Sequence, residues 1–84
     1  MVQKLKQTQD ISIGENLRRL RNEAKMTQDQ VAAQLQLRNF PTSRSAYSQI
    51  ESGTYNIRIG ELVALVEIFH TDYNTVFHGI KYKK

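Results

Sequence analysis

Residues 43–49 carry polar side chains that are well suited to reading the edges of nucleic-acid bases. An Arg guanidinium can bond guanine through two N–H donors, a Gln amide can pair with adenine, and a Ser hydroxyl can serve either base. The polar members of the segment are Ser43, Arg44, Ser45, Ser48 and Gln49. Helical spacing places them together on one face. The same pattern also fits the solvent-facing side of an ordinary surface helix, so periodicity alone leaves both interpretations open.

Two short helices must position these side chains. Ser43 is a good N-cap for the second of them, and Gly53 supplies the left-handed position that stops a helix. The apolar stripe of this helix consists of Ala46, Tyr47 and Ile50. The first begins at Thr27 with a capping box of the form Thr-x-x-Gln. Its apolar face consists of Val31, Ala32 and Leu35. The sequence therefore predicts two successive short helices joined by a link that contains the only proline, Pro41.

Three further helices complete the prediction. Ser12 begins the first with a second capping box, residues 62–69 form the most apolar helix, and Thr71 caps the last, with Asp72 in its first turn. Gly79 would end that last helix. No stretch alternates as a strand does. The sequence predicts an all-α fold of five helices, with residues 1–11 as a flexible N-terminal arm, residues 12–80 as the domain and residues 81–84 as a basic C-terminal tail.

Composition excludes several classes of protein. A chain of 84 residues holds one domain, and the absence of Cys excludes disulfides and thiolate metal sites. No apolar run reaches the roughly 20 residues that span a bilayer, and no apolar block follows the N-terminal lysines as in a signal peptide. We therefore expect a cytoplasmic protein with no membrane partner. The net charge of +4 permits a nucleic-acid partner without requiring one.

Catalytic chemistry finds little support in this sequence. The histidines, His70 and His78, fall near predicted helix ends, where the helix dipole favours them, and their spacing matches no familiar metal-ligand pair. No Ser lies in a glycine-rich elbow, and the four glycines are too scattered to form a phosphate-binding loop. We expect no enzyme activity, no metal site and no cofactor.

Taken together, the motifs resemble the lambda-repressor/Cro-like (XRE-type) helix-turn-helix family. The resemblance covers roughly residues 13–79, and the order and spacing of its parts are specific. It rests on residues 13–21, on Met26-Thr27-Gln28 with Ala32, on residues 43–53 and on residues 65–79. It implies a compact five-helix DNA-binding domain whose second and third helices form the helix-turn-helix.

The resemblance also implies roles for individual residues. Gln28 would bond a DNA phosphate, Arg44 and Ser45 would face bases, and Ser48 and Gln49 would contact bases or phosphates. Thr54, Tyr55 and Asn56 follow the recognition helix, where the family approaches the DNA backbone. Arg21 and Glu51 match a pair that joins the first helix to the recognition helix, which is a structural role. A small residue at Ala32 would allow the recognition helix to cross closely.

The link between the second and third helices departs from the family pattern. It is longer than usual, and Gln36 stands where the family has its turn glycine. Arg38, Asn39 and Ser43 could therefore reach DNA in unusual ways. The proline common after the recognition-helix loop is absent, and Ile57-Arg58 stands near its place.

The leading functional hypothesis is a sequence-specific regulator of transcription that binds double-stranded DNA. It would act as a homodimer and a repressor on a palindromic operator, in a bacterial or phage setting, because one recognition helix covers too few base pairs. Tyr73, Val76, Phe77 and Ile80 could form the dimer interface or could close the domain's own core. Two alternatives remain: an antitoxin-like or adaptor module that binds a protein partner, and a nucleic-acid binder without sequence preference.

Overall fold

The described part of the chain, residues 4–5 and 13–80 of the computed structural model, contains five α-helices and two short strands. The helices are α1 Gly14–Glu23, α2 Gln28–Leu37, α3 Arg44–Ser52, α4 Ile59–Ile68 and α5 Tyr73–Val76. The strands are β1 Lys4–Leu5 and β2 Ile57–Arg58. The predicted all-α fold of five helices is confirmed, with a small strand pair added to it.

That strand pair was not expected from the sequence. β1 lies antiparallel to β2, with Lys4 opposite Arg58 and Leu5 opposite Ile57. A two-residue strand is too short to show alternating hydrophobicity, so no pattern could predict it. Part of the predicted flexible arm is thus a paired strand. The remainder of the arm and the basic tail, residues 81–84, lie outside the described residues.

Three of the predicted helix signals are confirmed by hydrogen bonds or backbone angles. Thr27 and Gln30 form the capping box, with distances of 3.1 Å from Gln30 N to Thr27 Oγ1 and 2.8 Å from Thr27 N to Gln30 Oε1. Ser43 Oγ accepts from Ala46 N at 3.1 Å. Gly53 ends α3 with a φ of 81°, the left-handed conformation that a helix stop requires.

Other helix-end predictions were wrong. Asp72, not Thr71, caps α5, and its Oδ1 accepts from Thr75 N at 2.7 Å. That helix ends at Val76, three residues before Gly79. The N-cap of α1 is Ile13, which offers no side-chain oxygen; Ser12 itself lies outside the described residues.

The core forms where the apolar stripes of α1, α2, α3 and α4 meet. α3 packs against both α1 and α2, while α2 also packs against α4. Fully buried members come from every one of these helices and from β2: Leu17, Val31, Leu35, Tyr47, Ile50, Ile57 and Leu65. Burial of these side chains is the main stabilising contribution to so small a domain. It fixes α3 from one side and leaves its opposite side to solvent.

A close backbone approach joins the start of α1 to the end of α3. A Cβ placed on Gly14 would lie 2.0 Å from the carbonyl oxygen of Glu51 and 2.8 Å from that of Ile50. No real side chain tolerates such distances, so only glycine permits this contact. Ala32, where a close crossing of the recognition helix was predicted, is also buried, but no sequence motif pointed to Gly14.

Candidate nucleic-acid interface

α3 divides cleanly into a buried and an exposed side. Tyr47 and Ile50 are completely buried. Arg44, Ser45 and Gln49 are exposed, and Ser48 is half-buried. The helix therefore presents the hydrogen-bonding side chains predicted from the sequence, and they come from its first two turns.

These side chains share an open groove with the start of α2. The groove has a volume of about 500 Å³ and is lined by Gln28, Arg44, Ser45, Ser48 and Gln49. Its lining is entirely polar in residue type, and it is open to solvent rather than enclosed. The structure thus brings together five of the predicted site residues, contributed by the two helices of the predicted motif.

Asp29 faces the same region, although no sequence motif indicated that it belongs to the site. Its Oδ1 lies 3.7 Å from Nε of Arg44, and the two side chains are 76% and 64% exposed. A pair so exposed contributes little to stability because water screens it. It does, however, place a carboxylate next to the guanidinium at the mouth of the groove. The location of Asp29 in the first turn of α2, directly after Gln28, is the sequence signal that could have identified it.

A partly buried cluster adjoins the groove and shares Gln28 with it. Arg21 binds Glu51 through both oxygens, with Nε–Oε2 at 2.7 Å and Nη2–Oε1 at 3.2 Å. Arg21 also donates to the carbonyl of Met26 at 3.0 Å. Gln28 Nε2 donates to Glu51 Oε1 at 3.1 Å. The predicted Arg21–Glu51 pair is therefore present. Its carboxylate also binds the amide of Gln28, the residue that was predicted to bond a DNA phosphate.

Charges in this cluster stabilise one another. Burial alone would raise the pKa of Glu51, but hydrogen bonds, chiefly the one from Arg21, outweigh burial and lower that pKa below its usual value. The hydrogen bond to Glu51 raises the pKa of Arg21. Burial, followed by the nearby carboxylate, raises the pKa of Tyr47, whose buried hydroxyl has no hydrogen-bond partner among the described residues. The cluster thus keeps Glu51 ionised and Tyr47 neutral near pH 7.

The link between α2 and α3 carries three of the predicted contact residues, Arg38, Asn39 and Ser43, and each has a different role within the fold. Arg38 folds back onto α2, where its Nη1 donates to the carbonyl and side-chain oxygens of Gln34 at 3.1 and 2.9 Å. Asn39 is exposed and takes the left-handed conformation, with a φ of 69°. It, rather than Gln36, ends α2 in the way that the family's glycine would. Ser43 uses its oxygen as the N-cap of α3.

Part of the segment after α3 forms hydrogen bonds with the end of α3. Thr54 N donates to the carbonyl of Gln49 at 3.0 Å, and Thr54 Oγ1 lies 2.9 Å from Ser52 Oγ. Tyr55 is half-buried and packs against the core, whereas Asn56 is exposed. None of these three residues lines the groove described above.

Other kinds of site find no support in the described part of the chain. It contains no group of three or more His, Cys, Asp or Glu residues that could hold a metal ion. None of its helices combines the length and the apolar character needed to cross a membrane.

A comparison with known families decides the classification. A family model described as a helix-turn-helix domain matches residues 14–81, which is most of the chain. The chain belongs to this helix-turn-helix family. The family is of the Cro and XRE type. Membership supports a role as a DNA-binding regulator, and members of the family are typically non-enzymatic. No curated protein and no solved structure matched the chain.

Proposed function

We propose that this protein is a sequence-specific regulator of transcription that inserts the N-terminal half of α3 into the major groove of double-stranded DNA. The observation that carries the proposal is the polar groove lined by α2 and α3, which sits at the exposed start of α3. A recognition helix reads base edges mainly from its N-terminal residues, while the preceding helix contacts the backbone. Membership of a helix-turn-helix family agrees with that geometry.

Within this proposal, the groove residues divide into base readers and phosphate binders. Arg44 and Ser45, the first exposed residues of α3, read bases. Ser48 and Gln49 reach bases or phosphates from the next turn. Gln28 donates one amide hydrogen to Glu51 at 3.1 Å and has a second for a DNA phosphate. Glu51 would thereby hold the Gln28 amide in a fixed orientation.

Residues flanking the groove would contact the DNA backbone. On the side of the link these are Arg38, Asn39 and Ser43; on the side of the loop after α3 they are Thr54, Tyr55 and Asn56. Arg38 would exchange its bonds to Gln34 for a phosphate, and the exposure of that contact allows the exchange. Ser43 can still donate its hydroxyl hydrogen while its oxygen caps α3.

A repressor of this kind would act as a dimer, because two recognition helices are needed to read half-sites about 34 Å apart. Two exposed aromatic side chains support α5 as the contact: Tyr73 is 46% and Phe77 41% exposed. Val76 is fully buried in the domain's own core, and Ile80 packs against that core. The dimer proposal therefore rests on Tyr73 and Phe77. Replacing both by Ser should convert a dimer to a monomer in sedimentation equilibrium.

Selection of bound duplexes from a random pool tests the proposed function. A palindromic consensus is expected, with half-sites one helical turn apart. Arg44→Ala should then lose roughly 1–3 kcal/mol of binding free energy and relax preference at one base position. Arg18→Ala removes the same charge from an exposed position of α1 and is the matched control. Equal, sequence-independent losses for both variants would contradict base reading by Arg44.

A further inference from the structure

The lengthened link between α2 and α3 is tied down at Thr42. Although the link is a connecting segment, the side chain of Thr42 is 1% exposed. Its carbonyl oxygen accepts from Gln36 Nε2 at 2.9 Å, and its hydroxyl donates to Glu61 Oε2. Thr42 is thus bonded to α2 on one side and to α4 on the other.

Glu61 is the buried acceptor in this arrangement. It is completely buried in the first turn of α4, and its Oε1 accepts from the backbone N–H of Arg58 at 2.9 Å. Its other oxygen, Oε2, accepts from Thr42 and lies 3.9 Å from Nη1 of Arg58. A buried carboxylate is costly unless it is hydrogen-bonded, so these contacts are required by its position.

Packing by Phe40 reinforces the same connection. The ring of Phe40 is half-buried against the core and lies next to Gly60 in the first turn of α4. A Cβ on Gly60 would lie 2.8 Å from Phe40 Cε1 and 2.9 Å from Cζ. The absence of a side chain at residue 60 therefore creates the space for this ring. We call these contacts of Gln36, Phe40, Thr42, Gly60 and Glu61 the Thr42 anchor.

We propose that Thr42 is a positioning residue that fixes the start of the recognition helix, and with it the base preference of Arg44 and Ser45. The inference rests on the proposed function, because it concerns how that same surface is aimed. Thr42 directly precedes Ser43, the N-cap of α3, so a shift at Thr42 moves the first turn of α3. A long link would otherwise leave that turn poorly defined, and recognition needs placement within about 0.5 Å.

A pair of substitutions isolates the hydroxyl of Thr42. Thr42→Val keeps the shape of the side chain and removes the donor to Glu61, whereas Thr42→Ser keeps the donor and removes a methyl group. Gln36→Ala changes an exposed residue, so the fold survives, and removes the bond to the carbonyl of Thr42. Val76→Ala perturbs the core at α5, which packs against α1, and controls for a general loss of stability.

Two measurements on the full chain report on the anchor. The first is the exchange rate of the Ala46 amide, which donates to Ser43 and needs no DNA. The second is the ratio of binding constants between the selected duplex and one changed at the base read by Arg44. Thr42→Val should speed the exchange and lower the ratio, each by roughly ten-fold, the equivalent of one hydrogen bond to a charged group. Gln36→Ala should act in the same direction.

The outcomes separate this inference from the proposed function. Thr42→Ser should retain both wild-type values, and Val76→Ala should retain the ratio. The inference is overturned if Thr42→Val and Gln36→Ala alter exchange at Ala46 no more than Thr42→Ser or Val76→Ala does. It is also overturned if exchange rises while the ratio stays constant. A wild-type protein with no base preference would instead contradict the proposed function, and the exchange rates would still decide whether the anchor holds α3.

Discussion

The two ends of the recognition helix are held in different ways, although a buried glutamate is central to both. At the C-terminal end, Glu51 forms a two-oxygen ion pair with Arg21 of α1. At the N-terminal end, Glu61 of α4 accepts from the neutral hydroxyl of Thr42, and its nearest guanidinium nitrogen is 3.9 Å away. One end is thus fixed by charge and the other by neutral donors.

The supports at the two ends of α3 differ in whether they involve the link between α2 and α3. The Arg21–Glu51 pair and the approach at Gly14 connect α1 to α3 directly and are independent of the link length. The Thr42 anchor instead involves the link itself, which it joins to α4. The contacts of the Thr42 anchor lie next to the residues proposed to read bases.

The largest expected effect comes from breaking the charged end. Arg21→Ala should cost about 3–5 kcal/mol of the free energy of unfolding, because it leaves the Glu51 carboxylate, whose side chain is 4% exposed, without its cation. Chemical denaturation measures this loss. Arg18→Ala, at an exposed position of the same helix, should change stability by about 0.5 kcal/mol or less. Similar losses for the two variants would show that the pair does not hold this end.

A second comparison uses two glycines. Gly14 lies against the C-terminal end of α3, and Gly60 belongs to the Thr42 anchor before its N-terminal end. Gly14→Ala should destabilise by about 1–3 kcal/mol or more, because the new Cβ would meet backbone atoms of Glu51 that cannot move alone. Gly60→Ala should cost less, since the atoms it meets belong to the Phe40 ring, and alanine favours the helix by up to about 1 kcal/mol. Thermal unfolding of both variants gives the order. The reverse order would mean that Phe40 is the more rigid neighbour.

Removing Arg58, the cation near Glu61 before the N-terminal end of α3, should have a smaller effect on the free energy of unfolding. Arg58→Ala should cost about 1 kcal/mol or less, because Glu61 keeps the hydroxyl of Thr42 and the backbone N–H at residue 58. The measurement is the same denaturation series as for Arg21→Ala. A loss as large as that of Arg21→Ala would remove the distinction between charged and neutral support.

The smallest effect should be a dependence of stability on acid pH through Glu51. Its pKa is lowered in the folded protein, so its contribution is present above the unfolded value, about 4.3. That contribution is lost as pH falls through the lower, folded pKa. Burial opposes the lowering, which keeps the effect modest. Glu51→Gln should have a flatter stability profile than the wild type between pH 5 and pH 2, measured by denaturation at each pH.

Local signals in the sequence predicted the elements that depend on neighbouring residues. The capping box at Thr27, the N-cap at Ser43 and the stop at Gly53 are short-range hydrogen-bond or backbone requirements, and all three are confirmed. The five helices follow from apolar periodicity. The exposed polar side of α3, which carries Arg44 and Gln49, follows from the same periodicity, and the family resemblance supplied the Arg21–Glu51 pair.

Apart from the Arg21–Glu51 pair, only the tertiary structure decided the contacts between residues distant in the chain. Nothing near Gly14 shows that the backbone of Glu51 lies against it, and nothing near Thr42 shows that Glu61 accepts its hydroxyl. Pairing of Lys4 with Arg58 is likewise invisible in two-residue strands. The sequence determined the two helices and which side of α3 faces water, because periodicity and capping are local. The placement of the first turn of α3 required the fold, since it depends on where the long link meets α4.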